Sequence, residues 1–340
     1  MTTSEQNVSI ICPVRNEEKY ISQCLQSLIQ QTGKNYKYEI LVVDGMSEDT
    51  TRDIIKSFIK ENNNKIRLLD NKKQFVPFAL NIGIRQASGN IIIRVDGHAY
   101  VAEDYIEKCL YYLDKTGADC VGGKVESINT NSTGKAIALA MSSRFGVGNS
   151  RFRTSAKEGF VDTLAFGAYK KQVFEKVGYF DEQLIRCQDD EFNYRLRKFG
   201  GKIYLTPKIK SWYYPRSNFR KLWKQYYGYG FWKIRVLQKH LKMMQIRQFV
   251  PAFFVAMIFI TGVGSFFTSN FLFLFIGILG CYISAGLYFS LKASLKEHLI
   301  LFPLILLAYI ILHFSYGLGF LAGSIRFLPN WFIKQRKNIT

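Results

Sequence analysis

Apolar positions follow two different rhythms along this chain of 340 residues. Over the first two hundred they come in short bursts. Val8-Ser9-Ile10-Ile11-Cys12-Pro13 is a β-rich run stopped by proline. Tyr20, Ile21, Cys24, Leu25, Leu28 and Ile29 then recur at helical spacing between Lys19 and Gln30. The alternation repeats: a strand over 38–43 before the turn Asp44-Gly45-Met46-Ser47, a helix over 48–62, a strand over 66–69, a helix over 76–86 and a strand over 90–95. Units of this kind predict an α/β domain with a mainly parallel sheet and right-handed crossovers. Its ligands are expected at the carboxyl ends of the strands.

From Phe249 the rhythm changes. Residues 249–267, 271–291 and 299–325 contain no Asp, Glu, Lys or Arg. Each is long enough for the roughly 20 residues a helix needs to cross ~30 Å of hydrocarbon. Three transmembrane helices are therefore expected in a membrane domain over 249–340. A buried all-helical core is the alternative, but soluble helices of this length carry a polar face that these runs lack. In the third run Gly317, Gly319 and Gly323 allow a break or a re-entrant fold as well as a single crossing.

Charge sharpens this division. The 46 Lys and Arg against 26 Asp and Glu give +20, and after residue 191 the only acid is Glu297. Residues 207–248 interleave Lys and Arg with Trp212, Tyr213, Tyr214, Trp223, Tyr226, Tyr227, Tyr229 and Trp232. That composition suits helices lying at the headgroups of an anionic membrane. Basic residues among aromatics also grip single-stranded nucleic acid, but the place just before the apolar runs favours membrane and no nucleic acid. Lys239, Lys242 and Arg247 before the first run, with Lys292 and Lys296 after the second, put the domain over 1–206 on the cytoplasmic side of a plasma (inner) membrane. A single crossing by the third run sends Arg326, Lys334, Arg336 and Lys337 outside, against the same rule. No basic-then-apolar signal opens the chain, and its six cysteines lack a CxxC pair, as expected in a reducing compartment.

Polar residues gather just past the expected strand ends: Arg15, Asn16, Glu17 and Glu18, then Asp44, then Asp96 and His98. Singly, such residues read as turn formers, or as the first turn of a helix complementing its dipole. Together they supply carboxylates for a base or ribose, and two ligands, Asp96 and His98, for a divalent cation.

With these residues in place, the chain resembles family 2 glycosyltransferases of the GT-A, nucleotide-diphospho-sugar transferase fold. VSIICPVRNEEKYISQCLQSLIQQ is similar to that family's opening strand and P-x-x-N-E-E turn, and YEILVVDGMSEDTTRDII to its V-V-D-D-G-S-x-D-x-T segment. IIIRVDGHAYVAEDYI occupies the place of its D-x-D motif, and FGAYKKQVFEKVGYFDE and CQDDEFNYRLRKFGGKIYLTP resemble its later G-A and E-D segments. The match runs in family order over about residues 7–212, and with the basic collar and apolar tail it is most similar to bacterial exopolysaccharide enzymes of the succinoglycan type.

The resemblance implies that Pro13, Arg15 and Glu17 line the nucleobase and ribose of a donor, with Asp44 accepting from the base. It places Asp96 and His98 on the diphosphate through Mg²⁺ or Mn²⁺, and makes Asp189 the catalytic base. His98 stands where the family has Asp, which leaves the metal's identity open, and Gln188 replaces the Glu before Asp189. Without the resemblance, Asp189 reads as a first-turn helix residue before Phe192. The implied reaction is inverting transfer of one hexose from a nucleotide-diphosphate sugar, UDP-linked by family habit, to a lipid-linked saccharide on a polyprenyl diphosphate. Processive synthases carry Q-x-x-R-W before their membrane helices; here Gln225 is followed by Tyr226-Tyr227-Gly228-Tyr229, which favours single addition. Two alternatives stay open: a polyprenyl-phosphate glycosyltransferase, and a non-catalytic membrane assembly subunit.

Overall fold

The computed structural model describes residues 6–336 except 34, 63–64, 130, 149–150, 155–156 and 216–217; Lys337 lies outside the described residues. The chain forms two compact units, Met1–Glu126 with Arg151–Tyr214, and Ser127–Ser150 with Pro215–Thr340. The chain thus passes between units at 126 and 150 as well as at 214.

The first unit opens with β1 (Gln6–Val14), α1 (Ile21–Ile29), β2 (Tyr36–Asp44), α2 (Thr51–Glu61), β3 (Ile66–Asp70), α3 (Val76–Gln86) and β4 (Ile91–Arg94). These strands lie in the order β3-β2-β1-β4, all parallel, as the alternation of elements predicts. Unbroken burial of β1 from Val8 to Val14 is what a strand covered on both faces shows. The chain continues through β5 (Ala99–Val101), α4 (Tyr105–Thr116), β6 (Cys120–Gly122) and β7 (Val125–Ser127). It leaves for α5 (Ser132–Met141) and α6 (Arg144–Val147), and returns through α7 (Arg151–Thr154). Then come β8 (Gly159–Phe160), β9 (Ala168–Lys170), α8 (Gln172–Val177), α9 (Gln188–Lys198), β10 (Ile203–Leu205) and β11 (Ser211–Tyr213).

β9 runs antiparallel to both β4 and β6, which extends the sheet to eight strands, β3-β2-β1-β4-β9-β6-β10-β8. A smaller sheet, β5-β11-β7, stands beside it. The main core buries Ile11, Leu41, Leu80, Ile92, Phe174, Phe180, Phe192 and Leu196. Phe192 stacks on Phe174 and packs 4.5 Å from Phe180, which seats α9 against the sheet. The first turn of α9 carries Asp189.

The second unit contains α10 (Phe219–Lys239), α11 (Val250–Gly264), α12 (Ser269–Ser294) and α13 (Phe302–Arg336). Two helical stretches, 269–294 and 299–328, are long and apolar enough to cross a membrane. α11 is not: its 15 residues rise about 22 Å at 1.5 Å each. The expectation of three spans thus meets two long helices and one short apolar one.

Of the alternatives that the glycines left open, the continuous helix is the one present, since α13 runs through them unbroken. They permit close packing instead. A Cβ on Gly230 would land on the Tyr316 carbonyl, one on Gly319 on the Tyr227 carbonyl, and one on Gly323 2.6 Å from the Phe231 carbonyl. Small residues let α10 and α13 approach backbone to backbone. The excursion over 127–150 is fixed within this unit as well. The His313 Nε2–H donates to the Phe145 carbonyl (2.8 Å), the Tyr282 hydroxyl donates to His313 Nδ1 (2.9 Å), and the Phe145 ring packs on Phe289 and Tyr309.

Candidate active site

Three loops leave the carboxyl ends of β1, β2 and β4 side by side, and their polar residues fasten them together. Asn16, at φ 53, donates its backbone N–H to Ser47 Oγ (2.9 Å) and accepts from the Glu48 N–H at Oδ1 (2.9 Å). The Glu18 carboxylate accepts from the Thr50 hydroxyl, and Thr51 Oγ1 accepts the Glu17 N–H. The third loop joins through the His98 Nδ1–H, which donates to Glu17 Oε1 at 2.8 Å, and through the Gly97 N–H to the Pro13 carbonyl. A side chain at 97 would meet Val14 Cγ1 at 2.6 Å, so glycine is what lets the Asp96–His98 turn close on β1. Met46 (φ 58) and Gln74 (φ 65) also hold left-handed backbone near these strand ends. Such strain persists where surrounding structure over-determines it, commonly at functional sites.

The residues expected to bind a donor divide on inspection. Pro13 is buried in β1, while Arg15 is open, its side chain 39% accessible and 3.7 Å from Glu48. Glu17 faces His98. Asp44 has a fully buried side chain whose oxygens accept from the Ser47 hydroxyl (2.5 Å), the Ser47 N–H (3.0 Å) and Arg52 Nη1 (2.6 Å). Arg52 also reaches Asp70 at 2.9 Å. Asp44 therefore holds its own turn through a buried carboxylate.

Asp96 and Asp189, 93 positions apart in sequence, converge on one side chain that the sequence reading missed. Arg94 is 7% exposed; its Nε donates to Asp96 Oδ1 (2.7 Å), its Nη2 to Asp96 Oδ2 (3.1 Å), and its Nη1 to Asp189 Oδ1. The signal was available: a cation among Ile91, Ile92, Ile93 and Val95, inside a buried strand, requires a buried partner.

Asp189 is aimed from below. Cys187 turns left-handed (φ 64) just before α9, and Asn193, one turn on, donates to Thr163 Oγ1 and the Leu164 carbonyl and accepts from the Tyr169 hydroxyl. Burial, reinforced by the carboxylates of Asp96 and Asp190, outweighs the pull of Arg94 and pushes the Asp189 carboxyl up to about 6. With 27% of its side chain accessible, it can still be reached from solvent.

A divalent cation suits the donors present. Among the described residues no three His, Cys, Asp or Glu side chains form a cage. Mg²⁺ or Mn²⁺ bound with a nucleotide takes one or two protein groups and completes its shell with phosphate oxygens and water. Asp96 with His98 Nε2, two residues apart in the β4–β5 turn, would supply such a pair. Glu17 on Nδ1, and the Tyr213 ring 5.0 Å away, fix the imidazole in the orientation and tautomer of a metal-binding histidine.

Comparisons with known proteins identify the family and the fold. The model of "Glycosyl transferase family 2" matches residues 9–178. The chain is 32% identical over 328 residues to a Methanococcus voltae protein named dolichyl N-acetyl-alpha-D-glucosaminyl phosphate 3-beta-D-2,3-diacetamido-2,3-dideoxy-beta-D-glucuronosyltransferase, covering 94% of this chain and 97% of that one. It is 31% identical over 244 residues to the succinoglycan biosynthesis protein ExoA of Rhizobium meliloti, covering 71% and 73%. Among solved structures, the mannosyltransferase PcManGT of Pyrobaculum calidifontis in complex with GDP-Man and Mn²⁺ superposes with a TM-score of 0.59 at 16% identity, over 93% of this chain and 88% of that one. Residues 1–349 of S. aureus TarS in complex with UDP-GlcNAc give 0.52 at 18%, over 94% and 91%. Both structures share the GT-A fold with this chain.

Proposed function

As the chain belongs to glycosyl transferase family 2, and is therefore an enzyme, we propose that it moves a single hexose from a UDP-linked donor to a lipid-linked saccharide, with inversion at the anomeric carbon. The observation that carries this reading is the meeting of Asp96 and Asp189 on the single guanidinium of Arg94. One carboxylate faces the donor's diphosphate and the other is free to meet the acceptor. Asp189 takes the proton of the acceptor hydroxyl while that oxygen bonds to the anomeric carbon, and the bond to the diphosphate breaks, its electron pair leaving with UDP. A cation held by Asp96 and His98 supplies charge compensation on the leaving diphosphate. Pro13 and Arg15 line the base, and Asp44 shapes that wall through the Ser47 turn.

The acceptor assignment is supported by the M. voltae relative, whose name describes addition to a sugar on dolichyl phosphate. It is also supported by the two long apolar helices. If only these two cross, Arg326, Lys334 and Arg336 return to the side of the basic α10, leaving Lys292, Lys296 and Glu297 on the other. The larger basic set then lies with α10, which favours a cytoplasmic catalytic unit, while Lys292 and Lys296 move from the side that three spans would give them to the other.

A screen of nucleotide sugars, scoring thermal stabilisation and hydrolysis with Mg²⁺ or Mn²⁺, identifies the donor. Asp189→Asn is then expected to cut turnover about 10²–10⁴-fold, the usual worth of a positioned base. Undiminished turnover would remove Asp189 from that role. A product carrying the sugar directly on lipid monophosphate would replace the saccharide acceptor by the lipid phosphate itself.

A further inference from the structure

Arg94 belongs to neither set of groups that touch substrate in this reading, yet it holds both. It rises from β4 at a register position opposite Ile11, deep in the sheet. All three guanidinium nitrogens are committed, two as a fork on Asp96 and the third on Asp189. A planar guanidinium has a fixed geometry, so this arrangement sets the separation of the two carboxylates and the direction of each. A carboxylate offers about four lone-pair sites. Asp96 therefore keeps free positions toward the cleft while held by the fork, and so does Asp189.

Resting on the reading of Asp96 as the donor-side and Asp189 as the acceptor-side carboxylate, we propose that Arg94 is a positioning residue that couples the two halves of the site. Its single charge is shared between the two acids. A cation arriving with the nucleotide at Asp96 competes with that charge, and the guanidinium shifts its weight onto Asp189. Conversely, whatever relieves Asp189 of Arg94 leaves the full charge on Asp96 and weakens cation binding there. Coupling of this kind is reciprocal by thermodynamic necessity.

A double-mutant cycle read out by binding alone tests this in the full chain in detergent, with Mn²⁺ and UDP as probes and calorimetry as the measurement. Asp189→Asn is expected to weaken Mn²⁺-dependent UDP binding several-fold in the native background. Part of this is plain loss of a nearby negative charge, which persists in any background. The part routed through Arg94 is expected to vanish in Arg94→Gln, so that the effect of Asp189→Asn becomes at least threefold smaller there. Arg94→Lys retains a cation but cannot span both acids, so it supplies the same comparison if Arg94→Gln fails to fold, and the same loss of coupling is expected. Equal effects of Asp189→Asn in all three backgrounds would overturn the proposal. That outcome leaves the base assignment intact, because the assignment depends on turnover and not on this cycle.

Discussion

Two Asp–Arg–Asp bridges stand at strand ends on either side of β1, and they differ in which partner is most deeply buried. At the end of β2, Arg52 joins Asp44 to Asp70; the acid Asp44 is fully buried and the guanidinium is 27% accessible. At the end of β4, Arg94 joins Asp96 to Asp189; here the guanidinium is 9% accessible and the acids are 19% and 27%. The first bridge hides one carboxylate, Asp44, under bonds from Ser47 and Arg52 and leaves the other, Asp70, half exposed, which makes a braced turn. The second hides the cation and leaves both carboxylates partly accessible, where the proposed metal and acceptor hydroxyl would meet them. Burial of one partner or the other decides whether the same three residue types make a brace or a reactive site.

The same substitution in each bridge breaks the comparison most severely. Asp189→Asn should lose turnover by orders of magnitude, as above, while Asp44→Asn should cost about 2 kcal/mol of stability through its charged hydrogen bonds, with turnover at saturating donor within about threefold. Melting curves beside steady-state rates distinguish the two, and a large kcat loss in Asp44→Asn with an unchanged melting point would erase the distinction. Next in size is pH. A base acts when deprotonated, and burial holds the Asp189 proton up to about pH 6. The rate should therefore rise through pH 6 and fall about tenfold per unit below it, and a limb centred near pH 4 would mean that Asp189 is as solvated as an ordinary surface acid. The smallest effect is expected from His98→Asp, which exchanges imidazole for a harder ligand. Activity with Mg²⁺ should rise relative to Mn²⁺ by a few-fold, while an unchanged ratio would take His98 off the metal.

The strand–helix rhythm made the parallel half of the sheet legible, and α3 fell on the residues its periodicity predicts, 76–86. The loops at Arg15, Asp44 and Asp96 were legible for the same reason, since parallel strands end on one edge. What stayed hidden were contacts between distant segments. Arg94 reads as one cation in an apolar strand until Asp189 is brought beside it. The pairing of Asp44 with Arg52, eight residues on, likewise appears only in the folded chain. The glycines of the third apolar run left the choice open for a different reason, because a residue that weakens a helix and one that lets two helices touch leave the same mark in a sequence.

The excursion over 127–150 has a practical consequence. Ala136, Ile137, Ala140 and Met141 of α5 are wholly buried, and α13 packs against that helix. A soluble fragment cut after Tyr214 would strip this cover from the middle of its own sequence, so it should aggregate unless 127–150 is replaced by a short polar linker. For the same reason, a chimera that borrows the membrane helices of a relative must borrow that relative's counterpart of 127–150 with them, because the two stretches form one inheritable module split by the catalytic chain.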